Sequence, residues 1–220
     1  MQADNMPPPE KLAKFFLASL VVYAVLMAPW PGLQRGYAAV FRAAGNVCLS
    51  RFWFWPQSSV RFMDIRSIRP GDLAPGAPEF APTAEMDTLM ELRTRGTPQV
   101  GYLRTSSRYV GYSPMVLMVA LLVATPLPWP RRARALLWGM LLIHAFIALR
   151  VTLTLTANGF AADKAYALFH PGRFVTGLLT RTETILSDDP AASYVIPVFI
   201  WLLVAFRPRL WNWTTAMREK

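Results

Sequence analysis

Leu141–Leu155 reads LLIHAFIALRVTLTL, one histidine and one arginine inside an otherwise apolar run. The run lies within Leu136–Ala157, which has the roughly 20 apolar residues a helix needs to cross a hydrocarbon core about 30 Å thick. At about 100° and about 1.5 Å per residue, His144 and Arg150 are about 240° apart and face different sides of that helix. Arg150 lies about 21 Å along it from Leu136, from where a guanidinium can snorkel to the outer headgroups. His144 sits nearer the middle, where a hydrogen bond across a helix bundle is its expected role. Both residues therefore read as buried polar groups in the membrane, and Thr152, Thr154 and Thr156 suit a polar outer end.

Composition extends this reading to the whole chain. Of 220 residues, 54% are hydrophobic and 16% charged, against about 25% charged in an ordinary soluble domain. The deficit is concentrated in a few long segments, as in an integral membrane protein. The expected spans are residues 15–31, 112–129, 136–157 and 192–206. The first has a basic start, as a signal peptide would, but ends in APWPGL rather than a small-x-small cleavage site, so it reads as a retained helix. Tyr109, Tyr112 and Trp129 bracket the second as interfacial aromatics. Asp189 and Pro190 suit the start of the fourth, and Pro197 can kink it. The fold class is thus mainly α: a four-transmembrane-helix integral membrane protein with a small strand-containing extracytoplasmic insertion between helices 1 and 2.

Basic residues orient these spans. The tail 1–14 carries Lys11 and Lys14, the loop 130–135 carries Arg131, Arg132 and Arg134, and the tail 207–220 carries Arg207, Arg209, Arg218 and Lys220. With four spans all three segments fall on one side, which the positive-inside rule makes cytoplasmic, together with both termini. Part of the net charge of +10 lies in these flanks. No Lys/Arg run is long enough to track nucleic-acid phosphates, and membrane lipids are the expected counter-charge.

Two segments are left outside. In 158–191, Phe174, Val175, Leu178, Thr182, Ile185 and Leu186 recur at helical spacing, as in an amphipathic helix lying on the outer leaflet. The larger, 32–111, starts with an interfacial helix at 36–55. Tyr37, Val40, Phe41, Ala44, Val47 and Cys48 form its apolar stripe, and Phe52–Trp55 its aromatic anchor. A small β region at 58–110 follows. Strand-like alternation is clearest where Met86, Met90 and Leu92 oppose Asp87, Glu91 and Arg93. A proline- and glycine-rich turn, RPGDLAPGAPEFAPT, separates the first two strand candidates.

Chemistry-bearing residues are few. A nucleophilic cysteine needs a base or cation beside it. Cys48, the one cysteine, could find His170, Arg150 and Arg42 on the outer side, although a small residue on an apolar helix stripe is ordinary packing. Only His144 and His170 could join a histidine-based metal site, so no metal and no cofactor is expected. The stretch GYLRTSSRYVGYSP makes Arg104, Arg108, Tyr109 and Tyr112 candidates for lipid or partner binding at the outer surface.

RYVGYSPMVLMVALLVATP, Arg108–Pro126, resembles the entry to the second helix in small four-helix membrane proteins that accompany bacterial exosortases. That resemblance implies a non-enzymatic accessory or scaffold subunit of a cell-envelope sorting or export system, with a membrane-protein partner. Exosortases themselves are cysteine transpeptidases using a Cys, an Arg and a His or Arg, and Cys48, Arg150 and His170 occur in compatible order. A membrane-surface cysteine transpeptidase or hydrolase is therefore the alternative. Helices rather than barrel strands place either reading in the bacterial inner membrane.

Overall fold

The computed structural model of the chain describes residues 9–50, 58–69, 85–94, 100–160, 172–184 and 191–205. The protein is mainly helical with one small antiparallel sheet, in the order α1 (Pro9–Met27), α2 (Trp30–Leu49), β1 (Ser58–Asp64), β2 (Thr88–Thr94), β3 (Val100–Thr105), a π turn (Arg108–Tyr112), α3 (Ser113–Ala124), α4 (Trp129–Phe160), α5 (Arg173–Glu183) and α6 (Ala192–Ala205). It divides into two compact units. One comprises Met1–Trp30, Ser113–Ala145 and Tyr194–Lys220; the other Pro31–Tyr112 and Phe146–Ser193. Helix α4 contributes its first part to one unit and its last part to the other.

Prolines set several helix ends. Pro29 has no N–H to continue α1, and Pro31 fits the first turn of α2, so a new helix starts at Trp30 instead of a loop. Pro126 and Pro128 end α3. Pro130 then sits in the first turn of α4, and the PRRARA segment expected as a loop continues as helix. Arginine and alanine are good helix formers, and the N–H groups of Arg131 and Arg132 both donate to the Pro128 carbonyl.

The helical unit is held by apolar packing and a polar belt at one end. α1 packs along α3. Gly139 of α4 faces Met118 and Leu122 of α3 at a distance that a larger residue would have to enlarge; small residues let apolar helices approach closely in this way. Phe15 stacks on Trp201 with centroids 5.3 Å apart. Trp201 Nε1 donates to Thr125 Oγ1 at 2.8 Å, and Arg132 Nη2 donates to the Thr125 carbonyl at 3.1 Å. The start of α1, the end of α3, the start of α4 and the later turns of α6 therefore meet. Leucine, valine and phenylalanine side chains of α1, α4 and α6 cover much of the exterior.

In the second unit β2 is central, with β1 and β3 antiparallel on either side. One face of the sheet carries Val60, Phe62, Met90 and Leu92, which form a core with Val151 and Leu155 of α4; Phe41 and Leu49 of α2 pack against it. α2 lies so close that a Cβ on Gly45 would stand 2.9 Å from the Phe62 ring. The apolar stripe expected on α2 is divided: Phe41 turns to the sheet while Val40, Ala44, Val47 and Cys48 are exposed. Both sides of this helix are apolar, so periodicity alone does not select the buried one. The aromatic group at Phe52–Trp55 lies outside the described residues.

Among the described residues one helix, Trp129–Ala157, is long and apolar enough by itself to cross a membrane; Glu10–Met27 with Trp30–Leu49 meets the same measure only as a bent pair. The helices Arg108–Ala124 and Ala192–Ala205 are apolar but shorter.

Candidate functional site

The polar chemistry of the sheet unit is gathered where α2, β1, β2 and the π turn meet. Asp87, one residue before β2, is only 3% exposed. Its Oδ1 accepts from the Ser107 N–H at 3.0 Å and the Thr88 hydroxyl at 2.9 Å, and its Oδ2 from the Ser107 hydroxyl at 2.6 Å. Arg42 of α2 reaches the Asp87 carbonyl with Nη1 at 3.3 Å and the Asp64 carboxylate with Nη2 at 2.9 Å. Asp64 also accepts from the Arg66 N–H at 3.0 Å, which turns the chain at the end of β1. Asn46 forms a pair of bonds with the Phe62 backbone, at 2.8 and 3.0 Å, on the edge of β1 that β2 leaves open. The buried Asp87 carboxylate is satisfied by its neighbours, as an interior requires, and the half-buried Asp64 and Asn46 are paired as well.

Alternation predicts that Asp87 and Glu91 face out; instead both are buried. β2 has a neighbour on each side, and its second face is filled too: Leu89 is buried and Glu91 is held by Arg93 through Nε at 2.9 Å and Nη2 at 2.7 Å. That carboxylate raises the Arg93 pKa further above its ordinary value, through the hydrogen bond first and charge second.

On this second face Arg61, Glu91 and Tyr102 form one cross-strand row, and Met63, Leu89 and Arg104 the next. Arg61 and Arg104 are exposed. Arg61 lies opposite Glu91, whose carboxylate is already engaged by Arg93, and it makes no hydrogen bond or ion pair among the described residues. A cleft of about 540 Å³ runs beside it, with Asn46, Met63, Asp64, Ser67 and Ile68 in its walls. Exposed arginines around a buried carboxylate make a surface suited to an acidic group.

The remaining candidates are separated. Arg150 is 5% exposed, and its Nη1 donates to Ser193 Oγ at 2.5 Å. Ser193 Oγ in turn donates to the Tyr109 carbonyl at 3.1 Å. Arg150, expected to snorkel, instead makes an internal bond: the last part of α4 packs on the sheet, and Ser193 supplies the acceptor. His144 is exposed and its Nδ1 pairs with the Met140 carbonyl of its own helix at 2.7 Å. Its partner is thus the carbonyl one turn back in its own helix rather than a group across the bundle. The Arg108 guanidinium lies 5.6 Å over the Tyr109 ring. Tyr112 is buried edge-on against Tyr37, centroids 5.2 Å apart, so it belongs to packing rather than to an open binding surface. Burial, and secondarily Tyr112, push the Tyr37 pKa up to about 12.

Cys48 is exposed and in no disulfide, whereas Arg150 is buried and bonded to Ser193. His170 lies outside the described residues. Among the described residues no three His, Cys, Asp or Glu side chains converge as a metal-holding group. Sequence reasoning missed Asn46, Asp64, Asp87, Ser107 and Ser193 as organising groups. The available signals were the SS pair before the π turn and an aspartate at a strand start. None of the protein-family models, curated proteins or solved structures compared with the chain matches it.

Proposed function

We propose that the chain is a membrane-anchored scaffold. In this reading α1, α3, α4 and α6 cross the bacterial inner membrane, both termini are cytoplasmic, and the sheet unit is presented outside as a docking platform. The observation that carries it is the double use of α4. This helix supplies the membrane-length apolar stretch, and its Val151 and Leu155 also complete the core of the sheet. Its 32 residues span about 48 Å, well beyond a hydrocarbon core of about 30 Å. The belt of Phe15, Trp201, Thr125 and Arg132 supports the topology, because four spans with both termini inside bring those helix ends together. α5, with Phe174 82% exposed and Arg173 and Arg181 beside its apolar side, lies in the outer headgroup region.

The resemblance at Arg108–Pro126 makes a sorting- or export-type envelope protein the expected partner, docked through an acidic segment at Arg61 and Arg104. Affinity purification of the full chain in mild detergent tests this reading. We expect one envelope protein at stoichiometric yield, lost when Arg61 and Arg104 are both changed to Glu. Recovery of the chain alone, or of a partner indifferent to that charge reversal, contradicts it. The exposure of Cys48 favours one second reading, the cysteine enzyme. A Cys48→Ser chain with unchanged function in its host removes that reading.

A further inference from the structure

We propose that Arg132, flanked by Arg131 and Arg134, is a seat for one phosphate group at the start of α4. The Arg132 guanidinium is held in place: Nη2 donates to the Thr125 carbonyl at 3.1 Å, and its carbon lies 5.3 Å over the Trp129 ring. Thr125 is itself fixed, since its N–H and hydroxyl both donate to the Leu121 carbonyl and its Oγ1 accepts from Trp201. A guanidinium has five N–H donors, and that one carbonyl is the only acceptor Arg132 has among the described residues; its Nε is enclosed, so the donors open to a ligand are those of Nη1 and the second hydrogen of Nη2.

The neighbouring charges add to this. Arg131 and Arg134 are exposed; among the described residues Arg131 has no side-chain partner, and Arg134 donates only to the Pro130 carbonyl of its own turn. Arg131, Arg132 and Arg134 form no ion pair among the described residues. The first-turn N–H groups of Arg131 and Arg132 are already spent on Pro128, so the side chains provide the donors. Guanidinium forks match phosphate oxygens, and bonds between ionised partners are the strong ones. Three cations also call for more acceptor oxygens than one carboxylate offers. The exposed Trp129 ring beside them suits headgroup depth.

Two sources share this chemistry: an anionic phospholipid headgroup and free phosphate. Only the choice of the lipid rests on the membrane-anchored reading. The test is native mass spectrometry of the full chain in non-ionic detergent, titrated with dioctanoyl phosphatidylglycerol, dioctanoyl phosphatidylcholine and inorganic phosphate. We expect one phosphatidylglycerol bound, at least tenfold more weakly by Arg132→Gln, and phosphatidylcholine disfavoured by its own cation. Lipid that millimolar phosphate does not displace supports the headgroup; phosphate bound at the same Arg132-dependent seat supports the free anion. Unchanged binding in Arg132→Gln, or no adduct with either anionic probe, overturns the proposal. The double change Arg131→Gln with Arg134→Gln, both at exposed positions, must also weaken binding, and equal affinity there overturns it independently. Release of the wild-type chain from membranes by carbonate would sink the membrane reading while leaving the phosphate result intact.

Discussion

The two parts of α4 have similar composition and different partners. In its first part Leu137 is 70% exposed, and the close contact is Gly139 against the flexible Met118 side chain. In its last part Leu155 is 1% exposed and completes a core of phenylalanine, methionine, leucine and valine from the sheet. Leu137 lies on open surface, so its loss leaves no enclosed cavity. In the last part, a vacated position leaves a cavity with nothing to refill it. The same residue types thus carry different energetic weight along one helix.

The largest expected effect comes from the polar junction that only the sheet unit has. Asp87→Ala removes three acceptor contacts and leaves Ser107 and Thr88 donors buried, a loss of about 3–5 kcal/mol. Thermal unfolding of the purified chain in detergent measures it, and a loss below about 1 kcal/mol would mean that the junction is not structural. Next, the two glycines sharpen the contrast. Gly45→Ala presses a methyl on the Phe62 ring, which the core holds, and is expected to cost about 1–3 kcal/mol. Gly139→Ala is expected to cost less than about 1 kcal/mol, because the methionine end can move. Equal costs would break the comparison.

A pH scan gives a smaller effect confined to the sheet unit. Tyr37 holds its proton up to about 12 when folded, against 10.0 for an unperturbed tyrosine. In the unfolded chain it ionises earlier, so between these values the unfolded state binds fewer protons and stability falls as pH rises. The loss is on the order of 1–3 kcal/mol. Tyr37→Phe should flatten that alkaline slope in unfolding curves, and an unchanged slope would assign it elsewhere. Smallest of all, His144→Leu should change stability by less than about 0.5 kcal/mol, because His144 bonds only within its own exposed turn.

Much of the architecture was legible in the residues. Long apolar segments announce a mainly helical chain, and alternation around Met90 and Leu92 announces a small sheet. The pairing of α4 with that sheet was not legible, because Val151 and Leu155 are chemically the same as residues that face lipid. Asp87 and Glu91 were misread as outward for a related reason. Alternation distinguishes the two faces of a strand but not whether the second face is covered. Arg150 shows the limit at the candidate site: its depth in the helix could be estimated, but its partner Ser193 is 43 positions away. Contacts at that separation leave no local pattern.

The most direct test of the double role of α4 is hydrogen–deuterium exchange of the full chain in detergent, read at β2 in Leu155→Ala and Leu137→Ala. Loss of a buried leucine costs about 2–5 kcal/mol, so β2 amides should exchange about thirtyfold faster or more in Leu155→Ala. They should keep the wild-type rate in Leu137→Ala. Equal β2 exchange in the two variants would contradict the claim that α4 carries the sheet.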